Sequence, residues 1–417
     1  MINYNKNEKS LKYKFNKQIR SVLFVTTSFP RFPKDFAGSF VFRFAKYLAK
    51  DSISVMVLAP SDPSCPDLDN FENVLIVRYP YFFPRKLQRL AYGKGILGNI
   101  QHSLMAKIQV PFFFFAIVRA ILKYQNRSDI IHCHWLPTAI AAIIARPFSR
   151  LKSPIVFTNW GSDTRSLPKW LSRWTLKRVD GCISTAIETD HHLLMLGRKD
   201  FRKIMAPVDE ERFNRKNVLP DMRMEMNIGN NIRVIAFVGR LDHMKDPLTF
   251  IRACAILNQQ SKPFVAIIAG DGELMNECKC AVAKYGLADI VFLPGMCPDT
   301  ERLLRVASVS VHISPVENTW SNAIAEAMFM EVPVILSDAG YTKHLFSNGI
   351  DCLIVPAQDP QALALSINCL FENEALGKIL VDGAGSLLRK YNKDSRSIVR
   401  DTRKYYNELF ARNLLKG

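Results

Sequence analysis

Residues 233–258 read RVIAFVGRLDHMKDPLTFIRACAILN. Arg233–Gly239 is a short β-branched and aromatic run closed by glycine, the pattern of a buried strand. Pro247–Asn258 opens on proline and repeats apolar residues at helical spacing, which predicts a helix. A polar turn carrying Arg240 and Lys245 joins them. A strand handing over to a helix in this way is one step of a parallel α/β sheet.

The same step recurs in both directions. Phe264–Ala269, Ile290–Leu293, Val309–Ile313 and Val332–Ser337 read as further strands of the second half. Leu274–Tyr285, Asp299–Ala307, Asn322–Met330 and Pro360–Glu372 read as its helices. In the first half, Ser21–Thr27, Ile53–Ala59, Val74–Tyr79, Ile130–His134 and Ile155–Asn159 read as strands, with helices at Ser39–Lys50 and Thr138–Ala145. Val208–Ile232 is polar, Asn-rich and Met-rich without clear periodicity, and is expected to be a linker region. The pattern predicts an α/β protein of two Rossmann-like open parallel-sheet domains facing across a cleft, residues 1–207 and 208–394. Ligands in such sheets sit at the carboxyl ends of the strands.

Composition agrees with a folded protein. Apolar residues make up 48% and charged residues 23% of the 417, which excludes wholesale disorder, collagen and a disulfide miniprotein. The net charge of +18 is lopsided: residues 1–210 carry 32 Lys and Arg against 15 Asp and Glu. Residues 211–417 carry 24 against 23. A basic half suits an anionic partner such as a membrane, an acidic ligand or nucleic acid. Nine scattered cysteines, with Cys278 and Cys280 the one close pair, point to reduced structural thiols. Residues 1–20 are polar and basic, unlike an export signal. Val110–Val118 is apolar but short, and reads as a buried helix or as a segment dipping into a membrane face. Residues 78–123 combine Arg78, Arg85, Lys86, Arg89, Lys94 and Lys107 with Tyr81, Phe82, Phe83 and Phe112–Phe115. That mixture predicts salt-sensitive contact with anionic membranes.

Two motifs carry little. Gly93, Gly95 and Gly98 form G-x-G-x-x-G, but a basic stretch precedes them where a dinucleotide site needs a strand; a loop is expected. Asp67 and Asp69 form D-x-D among Pro63, Pro66 and Asn70, expected to be a solvated loop.

Other segments carry more. Gly239 permits close backbone approach, and Arg240 and Lys245 can neutralise a diphosphate, one by its fork and one as a point charge. In SPVENTWSNAIAEAMFMEVPVILSD, Glu317 and Glu326 bracket a turn and a helix start. Ser321 or Asn322 is a good N-cap, so the helix would present free amides to an anion. Glu326, one turn on, can bind a vicinal diol such as a ribose.

Taken in order, G-R-x-x-x-x-K, A-G-D-G at 269–272, E-x-x-W-S-N-x-x-x-E-A-M and V-P-V-I resemble family 4 of the retaining glycosyltransferases. Upstream, Gly38, DIIHCHW at 129–135, TNWGSD at 158–163 and P-V-D-x-x-x-F at 207–213 extend the resemblance, which runs from Ser21 to about Glu372. YPYFFPRKLQRLAYGKGILGN also looks like members acting on bacterial surface polysaccharides and lipid-linked glycans. The resemblance implies a GT-B fold, with the acceptor on the first domain and the nucleotide sugar on the second. It implies that a C-terminal helical segment, 395–417, crosses back onto the first domain. By the family pattern Arg240 and Lys245 hold the donor diphosphate, Glu326 the ribose and Glu317 the sugar hydroxyls, while Gly38 lets its loop approach the phosphates. Glu317 and Glu326 stand one residue further apart than is usual in the family. Trp160 stands where members often have a histidine near the reacting carbon, with His134 and Asp163 on the same side as groups that could compensate.

The expected activity is therefore metal-independent retaining glycosyl transfer without a cofactor, from a nucleotide-diphosphate sugar to a hydroxyl of a glycan or lipid-linked glycan. The expected place is the cytoplasmic face of the plasma membrane. A non-catalytic sugar-nucleotide scaffold is the alternative. Nucleic acid binding is remote, because the aromatics cluster in apolar runs and not on a basic groove.

Overall fold

The computed structural model describes residues 18–415 except 34, 94, 162–163, 165–166, 260–262, 317–319 and 392–393. Its contacts divide the chain into two compact units, Met1–Pro207 with Ser395–Gly417, and Val208–Asp394.

The first unit runs β1 (Ser21–Val25), α1 (Ser39–Lys50), β2 (Ser54–Pro60), β3 (Leu68–Phe71), β4 (Val74–Tyr79), α2 (Gly95–His102) and α3 (Leu104–Tyr124). It continues with β5 (Ile130–His134), α4 (Leu136–Ala145), β6 (Ile155–Asn159), α5 (Lys169–Leu176), β7 (Gly181–Ser184), α6 (Ile187–Met195) and β8 (Arg202–Lys203). Among the described residues its sheet has the order β3-β4-β2-β1-β5-β6-β7-β8. β3 alone is antiparallel to its neighbour. The central strands β1, β5 and β6 are buried almost throughout, because helices cover both faces. The C-terminal helix, Ser395–Leu414, packs on this unit. There the Tyr406 hydroxyl meets His132 Nδ1 at 2.5 Å and Asn407 accepts the Ile19 N–H at 2.9 Å.

The second unit contains α7 (Met222–Glu225), β9 (Arg233–Val238), α8 (Pro247–Asn258), β10 (Phe264–Ala269), α9 (Met275–Lys284), β11 (Val291–Gly295) and α10 (Thr300–Val306). It ends with β12 (Val309–His312), α11 (Asn322–Phe329), β13 (Val334–Asp338), α12 (Thr342–Leu345), β14 (Leu353–Pro356), α13 (Pro360–Glu372) and α14 (Glu374–Lys390). Its strands pair in parallel in the order β11-β10-β9-β12-β13-β14.

Three expectations are corrected. Gly95 opens α2, so only Gly93 of the G-x-G-x-x-G lies in the preceding loop. Asp69 lies half-buried on edge strand β3, whose exposed positions are Leu68 and Asn70, and Asp67 pairs with Arg85 at 2.6 Å. The stretch from Val208 to Ile232 is no free linker. Phe213 is buried at 2% exposure, Arg212 pairs with Glu301, and Arg223 donates to the Val306 carbonyl at 3.3 Å. Arginine forks that satisfy carbonyls tie this stretch to α10, a means of packing that leaves no apolar periodicity in the sequence. Among the described residues the nine cysteines are free. On α9, Cys278 is buried and Cys280 exposed, as two positions apart on a helix require.

Candidate active site

In each unit the chain starts at a central strand, builds outward one way, then returns to the other side. In the second unit the reversal falls between β9 and β12, in the first between β1 and β5. The loops after such a pair diverge and leave a crevice at the strands' carboxyl ends.

At the β9 end, two loops are bound to each other through the backbone. The Gly239 N–H donates to Ala269 O at 3.1 Å, Leu241 N–H to Asp271 O at 3.0 Å, and Leu274 N–H to Leu241 O at 2.9 Å. Only glycine fits in the second loop: a Cβ on Gly270 would lie 1.8 Å from Gly239 O, and one on Gly272 2.2 Å from Leu241 O. This is the physical content of A-G-D-G.

The turn after Gly239 is organised by Asp242, whose carboxylate accepts the Lys245 N–H at 3.0 Å and pairs with the Arg240 guanidinium at 3.2 Å. The Arg240 side chain is 78% exposed, so a ligand can claim its fork. The Lys245 stem lies over Gly239, where a Cβ would sit 3.7 Å from Cγ. Its ammonium bears on His312 at the end of β12: burial first, and the Lys245 charge second, push that imidazole down to about 3. His312 is therefore neutral at pH 7, and its Nε2 meets Ser310 Oγ at 2.9 Å. Asp246, in the left-handed region at φ 45°, caps α8 by accepting the Thr249 N–H at 3.3 Å.

At the β12 end, Ser321 caps α11 and accepts the Ile324 N–H at 3.4 Å, with Asn322 the first helical residue. Glu326 lies one turn in and is nearly buried. Trp320, named only as part of a motif in the sequence, is an anchor: its ring stacks on Phe346 at 4.9 Å and touches Tyr391 at 5.0 Å. Ser337 clasps the loop before it, accepting the Ser314 N–H and donating to the Ser314 carbonyl, each at 2.8 Å. Glu317 lies outside the described residues. Arg240, Lys245, Ser321, Asn322 and Glu326 thus all follow the two strands that flank the reversal.

In the first unit Gly38 is the left-handed N-cap of α1, at φ 63°. A Cβ there would meet Ser28 O at 2.3 Å, so glycine is needed both for the turn and for the approach. Across the reversal, His134 ends β5 and Trp160 follows β6. The Trp160 indole N–H donates to His134 Nδ1 at 3.3 Å, with the rings near parallel at 25°. His134 is fully buried, and burial pushes its imidazole well below the usual histidine range. It is a neutral acceptor beneath Trp160 and not an exposed base. Beside it, His132 contacts Thr158 at 2.6 Å and Tyr406 at 2.5 Å, and burial pushes its imidazole down to about 3. Asn159 Oδ1 accepts from Gly161 N–H at 3.0 Å and the Thr164 hydroxyl at 3.2 Å, which shapes the T-N-W-G turn. Asp163 lies outside the described residues.

Residues 37–212 match the family model described as Glycosyltransferase Family 4, and residues 220–384 match Glycosyl transferases group 1. A Campylobacter jejuni relative is 28% identical over 68% of this chain and 76% of its own length. It is the GalNAc-alpha-(1->4)-GalNAc-alpha-(1->3)-diNAcBac-PP-undecaprenol alpha-1,4-N-acetyl-D-galactosaminyltransferase. Among solved structures, sucrose-phosphate synthase from Thermosynechococcus elongatus superposes with a TM-score of 0.74 at 19% identity, over 94% of this chain and 99% of that one. HepE of Anabaena, solved with UDP and glucose, superposes with a TM-score of 0.70 at 17% identity, over 93% of this chain and all of that one. Both share the fold.

Proposed function

The chain belongs to the family 4 glycosyltransferases, with the GT-B fold, and we propose that it moves a sugar from a nucleoside-diphosphate donor to a hydroxyl of a lipid-linked glycan, with retention. It acts in the assembly of a bacterial surface polysaccharide, at the cytoplasmic face of the plasma membrane. One observation carries it: Arg240, Lys245, the capped start of α11 and Glu326 all follow β9 and β12, the pair at the sheet's reversal.

The chemistry asks for charge stabilisation where the diphosphate leaves. Arg240 meets two phosphate oxygens with its fork, Lys245 adds a point charge, and the free amides at Asn322 add the helix dipole. Together they stabilise the leaving group as positive charge develops on the sugar, without a metal ion. Glu326 holds the ribose diol and Glu317 the sugar hydroxyls. The first unit takes the acceptor on the side of Trp160. The departing phosphate itself receives the acceptor's proton on the same face of the sugar, so no side chain serves as nucleophile. The lipid-linked acceptor is supported by the Campylobacter jejuni relative, whose named substrate is carried on PP-undecaprenol.

A thermal-shift screen against nucleoside diphosphates and their sugars tests donor binding. A ligand at one hundred times its dissociation constant adds about 2.7 kcal/mol of stability. Transfer assays with and without EDTA, with the anomer of the product read by NMR, test metal independence and retention. An inverted product, or activity abolished by EDTA and restored by a divalent ion, overturns the corresponding part.

A further inference from the structure

We propose that the outer face of α3, with the loop at 82–89, is a docking surface for an anionic lipid membrane. It deepens the reading above, since a lipid-borne acceptor needs an enzyme at the lipid surface, but its test does not depend on the reaction.

Helix α3 has two apolar faces. Ala106, Phe113, Ile117 and Ile121 are packed into the core with Leu23 and Val25. On the opposite side Leu104, Ile108, Phe112, Phe115 and Leu122 are exposed. Those five recur at helical spacing, so they form one stripe. The adjoining loop is bolted to the helix: Gln109 accepts the Arg89 N–H at 2.9 Å and donates to Leu87 O at 2.6 Å. Phe82 meets Phe112 edge-on at 5.5 Å, and Phe83 beside it is 88% exposed.

The charge around this stripe has one sign. From residue 73 to residue 128 the sequence contains nine Lys and Arg and no Asp or Glu. Lys86, Arg89, Lys107, Arg119 and Lys123 are exposed. Arg78 is not part of the surface: it is buried and donates to Pro30 O and Tyr92 Oη. Arg85 is held by Asp67, Tyr81 is buried, and Lys94 lies outside the described residues.

These features select the occupant. Cations flanking a stripe of Phe, Leu and Ile match an interface where acyl chains meet anionic headgroups. A second copy of the chain in a twofold contact would set these cations against themselves. The length of α3, about 31 Å at 1.5 Å per residue, is that of a membrane span. Its inner face, however, is committed to the core, so the helix lies along the surface.

The full chain is floated with phosphatidylcholine vesicles, with and without phosphatidylglycerol. Wild type is expected to float with the anionic vesicles at low salt and to be released at high salt. Lys86→Glu/Arg89→Glu/Lys107→Glu should weaken partitioning on the order of a hundredfold, about a factor of five per cation. Phe83→Ser/Phe112→Ser/Phe115→Ser should also stay in solution. Circular dichroism and thermal melts check that both remain folded. If a triple variant misfolds, Phe83→Ser and Phe115→Ser alone, at residues 88% and 68% exposed, should each reduce binding. Three results overturn the proposal: wild type that ignores anionic vesicles, a charge variant that floats as wild type does, or a wild-type dimer that the phenylalanine variant dissolves. Loss of transfer in wild type would instead overturn the reaction and leave the docking result standing.

Discussion

Replacing Arg240 with alanine separates a catalytic role from a structural one, because the structure makes the two costs very unequal. The Arg240 side chain is 78% exposed and its one described ion pair is the 3.2 Å contact with Asp242. An exposed pair of this kind is worth roughly 0–1 kcal/mol. Asp242 keeps the Lys245 N–H when the guanidinium is gone, so the turn survives. The melting temperature should therefore fall by no more than roughly 2–4 °C. Against that, losing one group that stabilises transition-state charge costs about 2.7–4 kcal/mol of barrier, a drop of roughly 10²–10³ in kcat. The assay is turnover at saturating donor beside a thermal melt of the same sample. A variant that melts like wild type and turns over within a factor of about three would refute the role of Arg240 at the diphosphate.

Three further outcomes follow from the same geometry. Glu326→Ala should raise the donor KM more than Glu317→Ala does, by roughly tenfold or more if a charged hydrogen bond of about 1.5–3 kcal/mol is lost; the reverse ranking in steady-state kinetics means the turn is misassigned. Gly270→Ala should destabilise the second unit by about 1–3 kcal/mol or more, because its Cβ would lie 1.8 Å from Gly239 O; a melt unchanged from wild type contradicts that approach. His132 and His312 are held neutral, pushed down to about 3 by burial, so each binds a proton more readily in the unfolded chain. Their contribution is intact above the unfolded pKa of about 6.5. It falls as pH drops towards 3, at roughly 1.4 kcal/mol per pH unit for each buried histidine. Denaturant titrations across that window check the slope, and a flat profile rules it out.

Local pattern in the sequence determined the elements. Phe264–Ala269, Pro247–Asn258 and Pro360–Glu372 have the expected limits, since each is bounded by a proline, a glycine or an Asx cap that acts within a few residues. Short or charged strands escaped. Gly181–Ser184 begins on a glycine that a Tyr405–Leu409 contact requires, and Leu68–Phe71 pairs only at the sheet edge. Helix α14 was missed because its interior glycines pack against Pro333 and Ile350, a contact distant in sequence.

Of the candidate site, the residue types were legible and the arrangement was not. Arg240, Lys245, Ser321, Asn322 and Glu326 could be picked out because a cation pair after a strand-ending glycine and a capped helix are local signals. That β9 and β12 are neighbours depends on strand order, and strand order is set by how the helices bury their apolar faces. In the sequence, His134 is a group that could stand in for the residue replaced by Trp160. The fold instead buries it under that indole as an acceptor, which only desolvation could decide. The phenylalanine run at 112–115 shows the division most plainly. Its sequence says only that the segment is apolar; the packing of α3 puts Phe113 in the core and leaves Phe112 and Phe115 facing outward, because successive positions on a helix point in different directions.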